Sequence, residues 1–205
     1  MVNGTCENGK CLYLLHGING WEGAWQVRGH AIDTLERLMR DSLCEPVMIV
    51  MPDCNKWPHK PHPGNNNLWL YLTHYASLSR EHEIEQSLLD LMDVIDSVYH
   101  PSDCYIAGLS DGARMAMNVA NLRPDRFCAV GMFSPVVHKA QLPASILSPF
   151  TIHLYIGKCD IFGYSGKRFH RRLNRMKFPH EFIKLRGNHD WLVWRASLSL
   201  FLQSL

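Results

Sequence analysis

Apolar residues fall along this chain in short runs separated by longer amphipathic stretches. Runs rich in β-branched or aromatic residues occupy 11–17 (CLYLLHG), 47–53 (VMIVMPD), 104–110 (CYIAGLS), 128–135 (CAVGMFSP) and 151–160 (TIHLYIGKCD). A weaker sixth covers 181–190 (EFIKLRGNHD). Several are continuous rather than alternating, as in strands covered on both faces. Between them, helical periodicity predicts helices over 23–43, 80–99, 112–121, 165–176 and 190–204. Strands alternating with helices predict an α/β fold: a doubly wound, mostly parallel sheet of about six strands with helices on both faces. No internal repeat or low-complexity linker interrupts the pattern, so residues 1–205 are expected to form a single domain.

In open sheets of this kind, ligands bind at the carboxyl ends of the strands. The residues that follow each run are therefore the ones to inspect: His16-Gly17-Ile18-Asn19-Gly20, Pro52-Asp53, Ser110, Ser134-Pro135, Asp160 and His189. Ser110 stands between Gly108 and Gly112, where an apolar run meets a helical one. Glycines at those positions let strand and helix pack closely around a sharply turned serine. A serine hydroxyl needs a neighbouring base to become a nucleophile, and a histidine base needs a carboxylate to hold its tautomer. Asp160 and His189 follow Ser110 in the chain order Ser, Asp, His, which is that of α/β-hydrolases. Asp111 and Asp190 adjoin the serine and the histidine, so neither suits the far imidazole nitrogen. Asp125 follows the helix and falls at the wrong end of the sheet.

Composition narrows the rest. With 46% hydrophobic and 20% charged residues and a formal net charge of +2, the chain has no general pull towards nucleic acid or membrane. One segment departs from this: KRFHRRLNRMK (167–177), in which Phe169, Leu173 and Met176 make one apolar stripe on a basic helix. No apolar run approaches the roughly 20 residues that a membrane span requires. The N-terminal MVNGTCENGK lacks the apolar core of a signal peptide, so a cytoplasmic location is expected. Seven cysteines are an odd number, and a reduced chain is the expectation. Cys104, Cys128 and Cys159 lie in or beside apolar runs and read as small hydrophobes. Cys6 and Cys11 flank ENGK and could close a small loop. His59, His62 and Cys54 match no zinc-site spacing, and neither metal nor cofactor is expected.

The segments LYLLHGINGWEGAW, VMIVMPD, GLSDGA, YIGKCD and NHDWLVW together resemble a group of esterases within the α/β-hydrolase superfamily. That group includes esterase D, tributyrin esterases, feruloyl and acetylxylan esterases and the mycolyltransferases. The resemblance runs from about residue 11 to the last residue, and His189-Asp190-Trp191 followed by Trp194 is its most specific piece. It implies that Ser110 is the nucleophile, Asp160 the acid and His189 the base. It also implies an oxyanion hole built from the backbone N–H groups of Ile18 and Asp111, and a sheet order of 4-3-5-6-7-8 in the usual hydrolase numbering. The group usually reads Ser-Met-Gly-Gly at the elbow, where this chain has Ser110-Asp111-Gly112-Ala113. A carboxylate beside the nucleophile would disfavour anionic substrates or raise the histidine pKa.

Only the segment 135–149 separates the fifth run from the preceding strand end, which leaves no room for a cap domain. The expected substrate is a small-molecule ester with a short acyl group, or an acyl group carried on a sugar or aryl partner. Asn19, Trp21, Trp57, Trp69 and Trp191 are candidate substrate contacts, and Tyr71 and Tyr75 share the irregular segment of Trp57 and Trp69. Acyl transfer or thioester cleavage could use the same triad. A different class of reading is a non-catalytic binding protein on a hydrolase scaffold, using the basic helix.

Overall fold

In a computed structural model of the chain, residues 2–3, 9–54, 81–137, 142–143 and 149–205 are described. Seven strands and six helices follow in the order β1 (Val2–Asn3), β2 (Lys10–Leu15), α1 (Ala24–Val27), α2 (Ala31–Arg40), β3 (Val47–Val50), α3 (Glu81–Tyr99), β4 (Asp103–Leu109), α4 (Asp111–Leu122), β5 (Ala129–Phe133), β6 (Thr151–Gly157), α5 (Gly163–Met176), β7 (His180–Leu185) and α6 (Trp191–Gln203) among the described residues. The sheet order is β1-β3-β2-β4-β5-β6-β7. All pairs are parallel except β1 with β3, so six parallel strands carry one short antiparallel strand that the sequence pattern did not predict.

The continuous apolar runs have a simple cause: each central strand is covered on both faces. Along β2, Cys11, Tyr13 and Leu15 point into one core with Leu88, Met92 and Ile95 of α3, the inner face of α4, and Phe169 and Leu173 of α5. Leu12 and Leu14 point the other way, into a second core with Trp25, Leu35 and Leu38 of α1 and α2 and Val193, Leu198 and Phe201 of α6. Period-two alternation is therefore present in space but invisible in hydrophobicity.

The structure departs from two expectations. The predicted helix over 23–43 is two helices, because the chain turns at Gly29 and His30 adopts a left-handed conformation with φ 51°. A Cβ on Gly29 would lie 2.5 Å from the Trp25 carbonyl, so the close turn requires glycine there. Cys128 and Cys159 are exposed thiols rather than small core hydrophobes, whereas Cys104 is buried. Cys11 is also a buried free thiol; Cys6 lies outside the described residues. Among the described residues no helix is long and apolar enough to cross a membrane.

The parallel strands end earlier than their apolar runs suggest: β3 at Val50, β6 at Gly157 and β7 at Leu185. Asp53, Asp160 and His189 therefore sit on loops beyond the carboxyl ends of the strands, on the same side of the sheet as Ser110.

Candidate active site

Ser110 occupies the single residue between β4 and α4, with φ 53° and ψ −114°. A non-glycine residue at such angles is strained by roughly 1–3 kcal/mol and persists only where its surroundings over-determine it. The surroundings are visible. The Ser110 N–H donates to the Phe133 carbonyl at 2.8 Å. A Cβ on Gly108 would come 2.4 Å from the Gly112 carbonyl carbon, and one on Gly112 would come 2.2 Å from the His16 carbonyl oxygen. The two glycines thus let β4, α4 and the end of β2 converge behind the serine. Ser110 is 6% exposed.

His189, on the loop between β7 and α6, directs Nε2 to Ser110 Oγ at 3.0 Å. Its other nitrogen faces both carboxylate oxygens of Asp160, Nδ1 lying 3.1 Å from Oδ1 and 3.0 Å from Oδ2. Asp160 also accepts the Phe162 N–H at 2.7 Å. Burial pushes the Asp160 carboxyl up, but His189, the Ser134 hydroxyl and the Phe162 N–H outweigh it and hold the group below its usual range. The carboxylate is 1% exposed and the imidazole 16%. Phe162 and Trp194 meet the His189 ring edge-on, with centroids 4.9 and 5.1 Å away. Aromatic walls of this kind restrict the imidazole to the plane that serves both partners.

Asp190 is otherwise engaged. It caps α6 by accepting the Val193 N–H at 3.2 Å. Asp111 is paired with Arg114 one turn along α4, Nε to Oδ1 at 2.8 Å, with both side chains largely buried. This pairing revises the expectation for a carboxylate beside the nucleophile, because its charge is met by a guanidinium. Arg114 escaped the sequence reading although the i, i+3 spacing was a legible signal.

The loop after β2 carries Ile18, half-buried, and Asn19, exposed with φ 56°. Beneath it, His16 is 2% exposed; Nδ1 meets the Gly17 carbonyl at 2.8 Å and Nε2 meets Asp53 Oδ1 at 3.0 Å. The Cys54 thiol donates to the His16 carbonyl at 3.4 Å. Burial alone would lower the imidazole pKa, but Cys54, Asp53 and the Gly17 carbonyl raise it to about 10. His16 therefore braces the loop rather than offering a free ligand nitrogen.

Trp21 stands at the surface with the Arg28 guanidinium 5.1 Å from its ring. Trp191 packs edge-on between Trp25 and Trp194, with centroids 5.3 and 5.2 Å away, so it reaches His189 through Trp194. Trp57, Trp69, Tyr71, Tyr75, His59 and His62 lie outside the described residues. Among the described residues no group of three or more His, Cys, Asp or Glu side chains is placed to hold a metal ion.

A parallel sheet with helices on both faces, and a strained serine between strand and helix that meets a later histidine, define an α/β-hydrolase fold. Among the described residues no cap covers it. The chain belongs to the esterase family described as "Putative esterase", whose model matches residues 6–150. Solved structures similar to it include a CE1 ferulic acid esterase from the anaerobic fungus Anaeromyces mucronatus, with 21% identity and a TM-score of 0.75 over 97% of this chain and 80% of that one. An S-formylglutathione hydrolase from Staphylococcus aureus matches with 18% identity and a TM-score of 0.72 over 98% and 82%. The enterobactin esterase of Shigella flexneri matches with 18% identity and a TM-score of 0.70, over 99% of this chain but 54% of that one. At these identities the likeness is one of fold.

Proposed function

We propose that this chain is a serine carboxylesterase that acts through an acyl-enzyme, with Ser110 as nucleophile, His189 as general base and Asp160 as its orienting acid. The observation that carries the reading is the contact of 3.0 Å between His189 Nε2 and a serine hydroxyl held on a strained backbone. His189 Nε2 takes the hydroxyl proton as Oγ attacks the ester carbonyl carbon. Asp160 stabilises the imidazolium that forms. The backbone N–H groups of Ile18 and Asp111 receive the tetrahedral oxyanion, where one donor contributes about 3 kcal/mol. Collapse expels the alcohol, which takes its proton from His189. Water, deprotonated by the same imidazole, then releases the acid and frees Ser110.

For the substrate, the family and the fold neighbours support a carboxylic ester, and a site with no cap among the described residues suits a short or aryl acyl group or one carried on a sugar. Asn19 and Trp21 on the loop after β2, and Trp191 at the start of α6, are the proposed contacts within the described residues. Intact-mass analysis after treatment with a fluorophosphonate tests the reading. One adduct on the folded chain and none on Ser110→Ala is the expected result. No adduct on folded protein would overturn it in favour of a binding protein on a hydrolase scaffold.

A further inference from the structure

The basic helix takes no part in the chemistry above, and its surroundings suggest a second use. Between α5 and β7, at the margin of the sheet, lies an open groove of about 680 Å³ lined by Lys167, His170, Arg171, Phe182 and Lys184. Its floor is fixed. The His170 ring stacks on Phe182 at 4.2 Å with planes 25° apart. His180 Nδ1–H donates to the Phe178 carbonyl at 2.8 Å, which leaves His180 Nε2 to accept His170 Nδ1–H at 2.8 Å. Asn174 then donates to His170 Nε2 at 3.0 Å. Every ring nitrogen has a partner, so both imidazoles are held in place. The groove's charge comes from the two lysines and the arginine.

These cations lack acidic partners among the described residues. Arg171 Nε donates only to the Lys167 carbonyl, and the Lys184 ammonium lies 5.5 Å from the Phe182 ring centre. Glu181 points to the opposite face of β7, where it bonds His153. The groove also borders an open strand edge. Among the described residues β7 is the last strand of the sheet and pairs only with β6. Its outer backbone N–H and C=O groups form a template for one more strand. Along β7, His180, Phe182 and Lys184 share the α5 face, so an added strand would lay every second side chain beside them and under Lys167 and Arg171.

We infer that the β7 edge binds an extended acidic peptide as an eighth strand, with Glu or Asp at alternate positions facing Lys167, Arg171 and Lys184. Two independent features converge on this occupant: unpaired main-chain groups, which call for a strand, and cations on one face only, which call for acids at a period of two. A nucleic acid would need an open aromatic face for stacking, and His170 already covers Phe182. A second copy of this chain could offer its acidic helix α3, but Asp93 and Asp96 there are already paired with Arg123 and Arg126.

The test uses a fluorescein-labelled peptide, Thr-Glu-Val-Glu-Thr-Glu-Val, titrated with the whole protein at low salt and followed by anisotropy. Expected results are saturable binding, at least tenfold weakening by Lys167→Glu/Arg171→Glu, and similar weakening by Lys184→Glu. N-methylation of alternate peptide amides, which keeps the charge and removes strand donors, should weaken binding as much. Amide hydrogen exchange within 180–185 should slow when the parent peptide is bound. Equal binding of the N-methylated peptide or of a heparin hexasaccharide would overturn the proposal in favour of a diffuse charge patch. Absence of binding by the parent peptide would overturn it outright.

Discussion

A Cβ on Gly112 would stand 2.2 Å from the carbonyl oxygen of His16, closer than any pair of real atoms of that kind tolerates. The contact ties the first turn of α4 to the end of β2, and so ties Ser110 to the loop that carries Ile18. Neither side can yield, since the carbonyl is backbone and a Cβ is fixed by the backbone that carries it. Gly112→Ala is expected to destabilise the fold by about 2 kcal/mol. It should also slow fluorophosphonate labelling by roughly 10²-fold, since a displacement near 1 Å at a reacting group costs about that much. Gly163→Ala is the control, because its Cβ would meet nothing nearer than 3.5 Å. Chemical denaturation and labelling rates on the two variants check the contrast.

The Asp111–Arg114 pair gives a second expectation. Arg114 is 2% exposed and Asp111 8%, so removing the guanidinium takes a charge partner from a buried carboxylate one residue from Ser110. Breaking one side of a buried pair costs about 3–5 kcal/mol, whereas removing both charges is far milder. Arg114→Met should destabilise by about 3 kcal/mol, and Asp111→Asn/Arg114→Met should recover most of that loss. A double-mutant cycle by urea denaturation measures the coupling; simple additivity would refute it.

Much of this arrangement was legible in the sequence, for reasons that differ by residue. Ser110, Asp160 and His189 could be singled out because ligands bind a parallel sheet just past its strand ends, which apolar runs mark, and the structure brings the three side chains within hydrogen-bond distance in series. The six parallel strands followed from the same runs. The break at Gly29 and His30 was hidden because the apolar spacing continues in phase across it. The short strand Val2–Asn3 was hidden because two residues carry no period. Phe162 and Trp194, which hold the His189 ring, were not assigned that role because ring contacts depend on loop geometry. The brace under the β2 loop joins His16 to Asp53 across 37 residues, a distance no local pattern spans.

That brace makes stability depend on pH. The folded His16 pKa, at about 10, lies above the ordinary histidine value near 6.5. The folded state therefore binds the proton more tightly than the unfolded chain. The resulting stabilisation is complete below about pH 6.5 and is lost as pH rises towards 10. Wild type should lose about 4 kcal/mol more than His16→Asn between pH 6.5 and 10, at about 1.4 kcal/mol for each unit of pKa difference. Denaturation midpoints for both proteins at pH 6.5, 8 and 10 measure the difference, and parallel curves would contradict the assignment.

The strain at Ser110 separates its proposed chemical role from its structural cost. Alanine keeps the Cβ and so keeps the unfavourable backbone at φ 53° and ψ −114°, while losing the hydroxyl. Glycine reaches those angles without the Cβ clash. Ser110→Gly should therefore be more stable than Ser110→Ala by about 1 kcal/mol, after the extra freedom of glycine in the unfolded chain is counted. Both variants should fail to label with a fluorophosphonate. Wild type should sit with Ser110→Ala on the stability scale, because the serine gives stability up to hold its hydroxyl against His189. If glycine proved less stable than alanine, the serine's backbone would be relaxed where it stands, and the strained elbow would have to be abandoned as support for the proposed nucleophile.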